Sequence, residues 1–242
     1  MIYIRKQDAP PTAFMDAING LTRYEDLQNP NRKTVTDLLL REQGGLCAIC
    51  ERKASRFAPT IEHFLPKSIF EDKQLDYYNL YVACETCNRP KGNHLVPAYI
   101  FDKRFNPIDE LMNLREGFKP IYELIDGNKC SIKVPNITKI SKKIDEKYHS
   151  ALILHGTLDL MKQNRHEQEN QSLLIERGKI YNTYRNGLQT LSIERLRSKY
   201  ENWRQNIQSI QDATDTEAHY PEFVSLTAYL FAVEFRRRGI VP

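Results

Sequence analysis

Four cysteines of the chain stand in two C-x-x-C pairs, Cys47 with Cys50 and Cys84 with Cys87. Each pair can present two thiolates to one ion from a tight turn, and two such pairs can close a tetrahedral zinc site. Four protein ligands leave no coordination position for a substrate, so the predicted zinc is structural. Disulfides and a redox C-x-x-C are the competing interpretations. A cytoplasmic chain argues against the first, and two pairs without thioredoxin-like context argue against the second.

A second set of residues, which could carry chemistry, lies inside and directly after this frame. Glu62 and His63 are adjacent, Asn79 follows, and Asn88 comes directly after the second cysteine pair. Histidine titrates near neutrality and can act as a general base. The Glu62 carboxylate and the Asn88 amide oxygen are hard ligands that suit Mg²⁺ or Mn²⁺. Together they could activate water and hold a divalent cation.

Each of these residues also has an ordinary interpretation. His63 alone would more often be a structural histidine, and Glu62 alone a surface acid. Asn79 alone would be a turn residue, and Asn88 alone a helix cap. Their joint order within a four-cysteine frame favours the catalytic interpretation.

This order resembles the HNH endonucleases, the ββα-metal nucleases, over roughly residues 46–95. The family pattern is a C-x-x-C pair, an acid-His pair that ends a strand, an Asn, a second C-x-x-C pair, and then His or Asn. The acid is usually Asp, where this chain has Glu62, and the last position is often His, where it has Asn88. The chain therefore looks like the HNN variant.

The resemblance implies a role for each matching residue. His63 would be the general base, and Glu62 and Asn88 would hold a catalytic Mg²⁺ or Mn²⁺. Asn79 would hold the loop that bears the base through a backbone hydrogen bond. Lys91 is a candidate phosphate contact, and His94 a candidate substrate contact.

A longer resemblance extends over most of the chain. The stretches "MIYIRKQDAPP" and "REQGGLCAIC" and the helical tail look like the HNH subunits of Septu-type and retron-associated antiphage systems, the PtuB-like proteins. The resemblance implies DNA as substrate and an SMC/ABC-type ATPase partner (PtuA-like). In retron-associated systems it also implies a reverse transcriptase with its RNA–DNA hybrid. Residues 137–237 are then the candidate docking region. The alternative is a zinc-ribbon module that binds nucleic acid or protein through a degenerate nuclease site.

Secondary-structure signals predict the elements that must position these residues. The predicted N-terminal elements are helices 12–28 and 31–43. Around the site they are a strand 57–61, a loop or short helix 66–76, an extended segment 77–84, and a helix that begins at "CNRPKGNH" with Pro90 near its first turn. After the site they are a hairpin in 121–134 around Asp126, Gly127 and Asn128, and helices 137–162, 166–186, 191–211 and 221–237. Gly44 and Gly45 suit a helix C-cap, and Cys130 is a small apolar residue of the hairpin.

These elements predict an α+β fold that is mostly α, with a zinc-stapled ββα-metal HNH module. The expected division is an N-terminal helical segment 1–45, the module 46–105, and a hairpin plus helical docking region 106–242. A composition of 40% apolar and 27% charged residues allows a buried core. No apolar run approaches membrane-spanning length, and no signal peptide is evident, so we expect a cytoplasmic protein that does not enter membranes.

Overall fold

The structure, a computed structural model, describes residues 6–63, 66–68, 70–91, 121–133, 167–212 and 221–241. The helices in these ranges are α1 Thr12–Ile18, α2 Asn31–Glu42, α3 Glu85–Lys91, α4 Glu167–Gln189, α5 Ile193–Asp212 and α6 Val224–Arg237. The strands are β1 Pro59–His63, β2 Leu80–Cys84, β3 Ile121–Ile125 and β4 Lys129–Lys133. Helices and two small antiparallel sheets confirm the predicted α+β class.

The sheet that carries the site residues is the β1–β2 pair. The two strands are antiparallel, and the register sets Glu62 opposite Tyr81 and His63 opposite Leu80. Helix α3 starts directly after β2 and packs against both strands. The chain order is β1, β2 and then α3, and the helix packs on the strand pair, so the segment has the predicted ββα arrangement.

Two hydrophobic cores meet this sheet. Residues on alternate positions of a strand point to opposite faces, and Val82 belongs to one core while Ala83 belongs to the other. The N-terminal core contains Phe14, Ala17, Tyr24, Leu27, Val35, Leu38, Leu39, Ile61, Tyr77, Leu80 and Val82. The cysteine-side core includes Leu46, Cys47, Ile49, Tyr81, Ala83, Cys84, Tyr122, Cys130, Leu173, Leu196, Tyr200, Trp203, Phe231 and Phe235.

Helix α2 ends at the two glycines that the sequence predicted as its C-cap. Gly44 and Gly45 have φ angles of 58° and 74°, which glycine adopts without the penalty that a side chain would cause. The Gly45 N–H donates to the Leu40 carbonyl at 2.8 Å, the long hydrogen bond of a Schellman cap. The predicted glycine cap is confirmed, and α2 matches the predicted helix 31–43 within one residue.

The predicted helix 12–28 was wrong. The structure ends α1 at Ile18 and resumes with a 3₁₀ turn at Tyr24–Asp26. Gly20 lies between them with a φ of 74°, which is outside the helical range. The Tyr24 N–H donates to the Gln74 side chain at 2.9 Å and is therefore not available to a helical carbonyl. A tertiary contact replaces the local helical bond here.

Two other boundaries also differ from prediction. The strand begins at Pro59 rather than at residue 57, because the Phe57 N–H donates to the Ala54 carbonyl at 3.2 Å and closes a 3₁₀ turn first. Helix α3 begins at Glu85, so Pro90 is its sixth residue and lies beyond the first turn. The acidic Glu85 in the first turn suits the positive end of the helix dipole.

In the C-terminal part of the chain, the structure agrees better with the predicted elements. The hairpin is present as β3 and β4, and Asp126 and Gly127 at its turn have φ of 53° and 72°. Cys130 is fully buried in it. The predicted helices 166–186, 191–211 and 221–237 correspond to α4, α5 and α6 within three residues at each end. The predicted helix 137–162 lies outside the described residues.

The helical region and the cysteine pairs share one core. Helix α4 packs on β4 and α6, and the cysteine-side core joins these elements to the segment around Cys47. A division near residue 105 stays a prediction. Among the described helices, none has the length and apolarity needed to cross a membrane.

Candidate metal centre and the Glu-His site

The four cysteines converge on one point. All four are buried, and their Sγ atoms lie within 4.8 Å of one another. The Cys84 sulfur lies 3.8 Å from those of both Cys47 and Cys50. A tetrahedral zinc with Zn–S bonds of about 2.3 Å requires sulfurs about 3.8 Å apart. The donor set and its size therefore fit a structural zinc held by Cys47, Cys50, Cys84 and Cys87.

The turn that carries the first cysteine pair is fixed by its own backbone. The Cys47 N–H donates to the Arg52 carbonyl at 2.8 Å, and Leu46 bridges to Lys53. Glu51 closes the turn with φ of 65°. The Cys84 N–H donates to the Cys47 sulfur at 3.3 Å, which joins this turn to the end of β2. The same sulfur is thus placed to accept from the backbone and to bind an ion.

Arg52 balances the negative charge of the sulfur cluster. Its Nη2 lies 3.9 Å from the Cys84 sulfur. Burial disfavours its charge, but the thiolates of Cys50, Cys84 and Cys87 outweigh burial and raise the pKa of the guanidinium. Four thiolates and one Zn²⁺ carry a net charge of about −2, so a fixed cation beside them lowers the cost of burying the centre.

Gln43, at the end of α2, ties the cysteine turn to the sheet. Its side chain is fully buried. It donates to the carbonyls of Leu46 and Val82 at 2.8 and 2.9 Å, and it accepts from the Val82 N–H at 2.7 Å. The Ala48 N–H also donates to the Val82 carbonyl at 3.0 Å. Gln43 therefore satisfies the edge of β2 that β1 does not cover.

His63 is held by the loop that precedes β2. It ends β1 and is 8% exposed. Its Nε2 lies 3.0 Å from the Gln74 carbonyl. A carbonyl only accepts, so Nε2 carries the proton, and this bond selects the tautomer in which Nδ1 is the basic atom.

Asn79 holds the same loop one residue earlier. Its Nδ2 donates to the Lys73 carbonyl at 2.8 Å, and Lys73 directly precedes the Gln74 that orients His63. Asn79 is itself buried, at 5% exposure. A carbonyl fixed at Lys73 restricts the peptide that follows it, so Asn79 supports the position of the histidine ring indirectly.

Asn88 contacts Thr60 on the face of β1 that Glu62 shares by the alternation of strand side chains. The Asn88 Nδ2 donates to the Thr60 hydroxyl at 2.9 Å and approaches the Ile61 carbonyl at 3.5 Å. Glu62 lies two residues beyond Thr60 on the same strand face, about 7 Å along the strand. Glu62 is buried, at 6% exposure. Because Asn88 donates through its nitrogen, its carbonyl oxygen is the atom that could bind a cation.

The four predicted site residues lie on β1, directly before β2 and in α3. His63 and Asn79 both contact the loop at residues 73–74, and Asn88 contacts Thr60 of β1. The register around His63 shows no bulge. The Lys91 side chain and the whole of His94 lie outside what the structure describes. Among the described residues, the four cysteines are the one group of three or more His, Cys, Asp or Glu that could hold a metal.

Sequence patterns do not identify every residue that supports the site. No sequence pattern assigns these contacts to Gln43 or Gln74, because the hydrogen bonds that they make depend on tertiary structure. Lys6 is buried at 7% exposure, with its Nζ 3.1 Å from Glu42 and 2.9 Å from the Leu80 carbonyl. The sequence around Lys6 does not indicate that its side chain is buried or that it bonds to β2.

Comparison with known protein families identifies the segment that carries the cysteines and the Glu-His pair. Residues 47–94 match the family model of the HNH endonucleases. The segment is an HNH domain. The match begins at Cys47, ends at His94, and encloses Glu62, His63 and Asn88. The predicted HNH resemblance is therefore confirmed over this part of the chain.

A comparison with an individual protein is also informative. A Septu protein PtuB from Bacillus thuringiensis is 29% identical to this chain over 100 residues. The matched stretch covers 39% of this chain and 38% of that protein. The similarity supports the predicted likeness to PtuB-like HNH proteins.

Proposed function

We propose that this protein is a metal-dependent HNH endonuclease that hydrolyses phosphodiester bonds of DNA. The observation that carries the proposal is the HNH match over residues 47–94, whose boundaries enclose both the sulfur cluster and the Glu-His pair. The sulfur cluster can hold a structural zinc, and such a closed site does not perform hydrolysis. Hydrolysis therefore belongs to the oxygen and nitrogen donors around β1.

In this proposal His63 is the general base. Its Nε2–H donates to the Gln74 carbonyl at 3.0 Å, so the basic Nδ1 would take the proton from the attacking water. Asn79 is a positioning residue, because its hydrogen bond to the Lys73 carbonyl holds the loop that orients the ring. Removal of Asn79 would loosen the ring without removing the base.

Glu62 and Asn88 would hold the catalytic divalent ion. Both supply hard oxygen atoms, and two protein ligands with waters suit Mg²⁺, which keeps much of its hydration shell. Bound there, Mg²⁺ or Mn²⁺ would supply charge stabilisation at the phosphate and the leaving oxygen. The bond from the Asn88 nitrogen to Thr60 would restrict the amide and leave its oxygen as the atom for the ion.

The defence role rests on the Septu protein PtuB. We propose that this chain is the nuclease subunit of an antiphage complex with an SMC/ABC-type ATPase, as its PtuB-like resemblance implies. The helical region would bind that partner. In α5, Arg197 and Arg204 lie two turns apart and are exposed. A retron reverse transcriptase with its RNA–DNA hybrid remains an expectation from sequence resemblance.

A plasmid-nicking assay tests the chemistry. Wild type should nick supercoiled DNA with Mg²⁺ or Mn²⁺ and should not nick it when both ions are left out of the buffer. Glu62→Ala and Asn88→Ala should each raise the Mg²⁺ concentration needed for half-maximal rate by about tenfold or more, because each removes a ligand. A single-stranded RNA of matched sequence distinguishes DNA from RNA as substrate. An unchanged Mg²⁺ dependence in both variants would overturn the assigned ligands.

Co-purification tests the partner. The full chain should co-purify with the ATPase that is encoded beside it, and Arg197→Glu with Arg204→Glu should weaken this binding. The same pair should leave zinc content unchanged, since both side chains are exposed. Wild-type protein that shows no association with the ATPase would contradict the proposed complex. A wild-type protein that binds DNA but never cleaves it would favour the zinc-ribbon binding module.

A further inference from the structure

Tyr24 lies against the predicted base although it is outside the HNH segment. It sits in the 3₁₀ turn after α1 and is 7% exposed. Its ring meets the His63 ring edge-on, with centroids 4.5 Å apart and an interplanar angle of 84°. This T-shaped arrangement is one of the two that aromatic rings prefer. The N-terminal segment thus forms one wall of the histidine position.

Gln74 connects the same two residues through hydrogen bonds. Its carbonyl accepts from His63 at 3.0 Å, and its side-chain oxygen accepts from the Tyr24 N–H at 2.9 Å. Its side-chain nitrogen approaches the Thr22 carbonyl at 3.4 Å. Because one residue bonds to both, a shift of the 22–24 segment would be transmitted to the carbonyl that holds the imidazole.

The Tyr24 ring is itself fixed from outside. Arg32 of α2 donates from Nη2 to the Tyr24 hydroxyl at 2.8 Å, and its guanidinium carbon lies 5.1 Å from the ring centroid. The Lys67 ammonium lies 4.8 Å from the same centroid. Two cations near one aromatic ring restrict it by cation–π attraction. The wall beside His63 is therefore anchored by contacts from two separate elements.

We propose that Tyr24 is a positioning residue for His63, a role that rests on the proposed nuclease function. The hydrogen bond from Nε2 fixes that nitrogen, and a contact against the ring opposes rotation of the imidazole about its Cβ–Cγ bond. The perpendicular Tyr24 ring blocks that rotation and keeps Nδ1 aimed in one direction. A general base works only when it is held within hydrogen-bond reach of the proton that it takes, so this wall affects turnover rather than substrate binding.

Three variants test the role. Tyr24→Leu removes the ring, Tyr24→Phe keeps the ring but loses the hydroxyl, and Phe14→Leu is the matched control. Phe14 lies in the same N-terminal core but pairs with Tyr77, with centroids 5.2 Å apart. Tyr24→Leu should lower kcat about 3- to 10-fold with KM for DNA unchanged, the range expected for one aromatic contact. Tyr24→Phe should stay within about twofold of wild type, because the ring contact persists.

The control separates positioning from stability. Phe14→Leu should lower the melting temperature about as much as Tyr24→Leu while kcat, measured well below melting, stays at the wild-type value. Equal losses of kcat in Phe14→Leu and Tyr24→Leu would overturn the proposal. So would a Tyr24→Leu enzyme with wild-type kcat.

A spectroscopic readout keeps the proposal independent of cleavage. Long-range ¹H–¹⁵N spectra should show the Nε2–H tautomer of His63 in wild type and Phe14→Leu, and mixed tautomers in Tyr24→Leu. If wild type cleaves no nucleic acid, the nuclease proposal fails, and the spectra alone decide the positioning. Unchanged His63 signals in Tyr24→Leu would then refute the positioning.

Discussion

The two sides of the β1–β2 sheet build their sites in different ways. On the cysteine side, four sulfurs meet within 4.8 Å, and they come from one turn and from the junction of β2 with α3. On the N-terminal side, the contacts of His63 come from the Gln74 loop and from Tyr24, which lies before that segment. A metal site can be encoded by local spacing, whereas the orientation of a base depends on packing between distant segments.

Of the changes considered, zinc loss should destabilise the cysteine side of the sheet the most. Structural zinc contributes on the order of 10–16 kcal/mol of apparent binding free energy in small peptides. Cys84→Ser, or a strong zinc chelator, should therefore unfold residues 46–91 and the cysteine-side core, whereas removal of Mg²⁺ should leave the fold intact. Zinc content, far-UV circular dichroism and protease resistance measure both outcomes. If the chelator released zinc and neither the spectrum nor the protease resistance changed, the structural role would be wrong.

Substitution of Gln43 should show that the stability of the cysteine side also depends on a polar contact from the end of α2. Gln43→Leu leaves the Val82 N–H and the Val82 and Leu46 carbonyls without this buried partner, which should cost about 2–4 kcal/mol of unfolding free energy. Gln205→Leu on exposed α5 is the control and should cost less than about 0.5 kcal/mol. Urea denaturation measures both. Equal effects of the two variants would mean that the Gln43 bonds contribute no net stability.

Lys6, on the N-terminal side of the sheet, should make the unfolding free energy depend on pH. Burial lowers the pKa of Lys6 to about 8, although Glu42 opposes the shift. Between that pKa and the ordinary lysine value of about 10.4, the unfolded chain binds the proton and the folded chain does not, so stability rises with pH. From pH 7.5 to 9.5, Lys6 should add about 2 kcal/mol to the unfolding free energy.

Urea denaturation at the two pH values measures this contribution against Lys6→Met. The variant should lose the rise, because its side chain does not titrate. The same rise in wild type and Lys6→Met would assign the pH dependence to other groups.

Several features were predictable because they depend on local patterns. The cysteine spacing predicted the metal frame, Gly44 and Gly45 predicted the end of α2, and Asp126 with Gly127 predicted the β3–β4 turn. Each rests on a turn geometry that few residues can adopt. The order of the Glu-His pair and Asn88 between and after the cysteines was likewise enough to indicate an HNH domain.

Other features were not predictable because tertiary contacts override local propensity. The apolar spacing of residues 12–28 suits a helix, yet the Gln74 side chain takes the Tyr24 N–H and the helix ends at Ile18. The strand starts at Pro59 because a 3₁₀ turn comes first. Gln43 belongs to the same class, since its role depends on a strand edge that lies far away in sequence.

One measurement tests the central claim most directly: single-turnover cleavage of plasmid DNA by His63→Ala and wild type in the same Mg²⁺, with zinc content and melting temperature determined on the same samples. A general base contributes about 10²- to 10⁴-fold, or roughly 3–5 kcal/mol of barrier. The account predicts a rate loss in that range with zinc, stability and DNA binding near wild type. Cleavage by His63→Ala at the wild-type rate would contradict it, and the zinc-ribbon binding module would become the better interpretation.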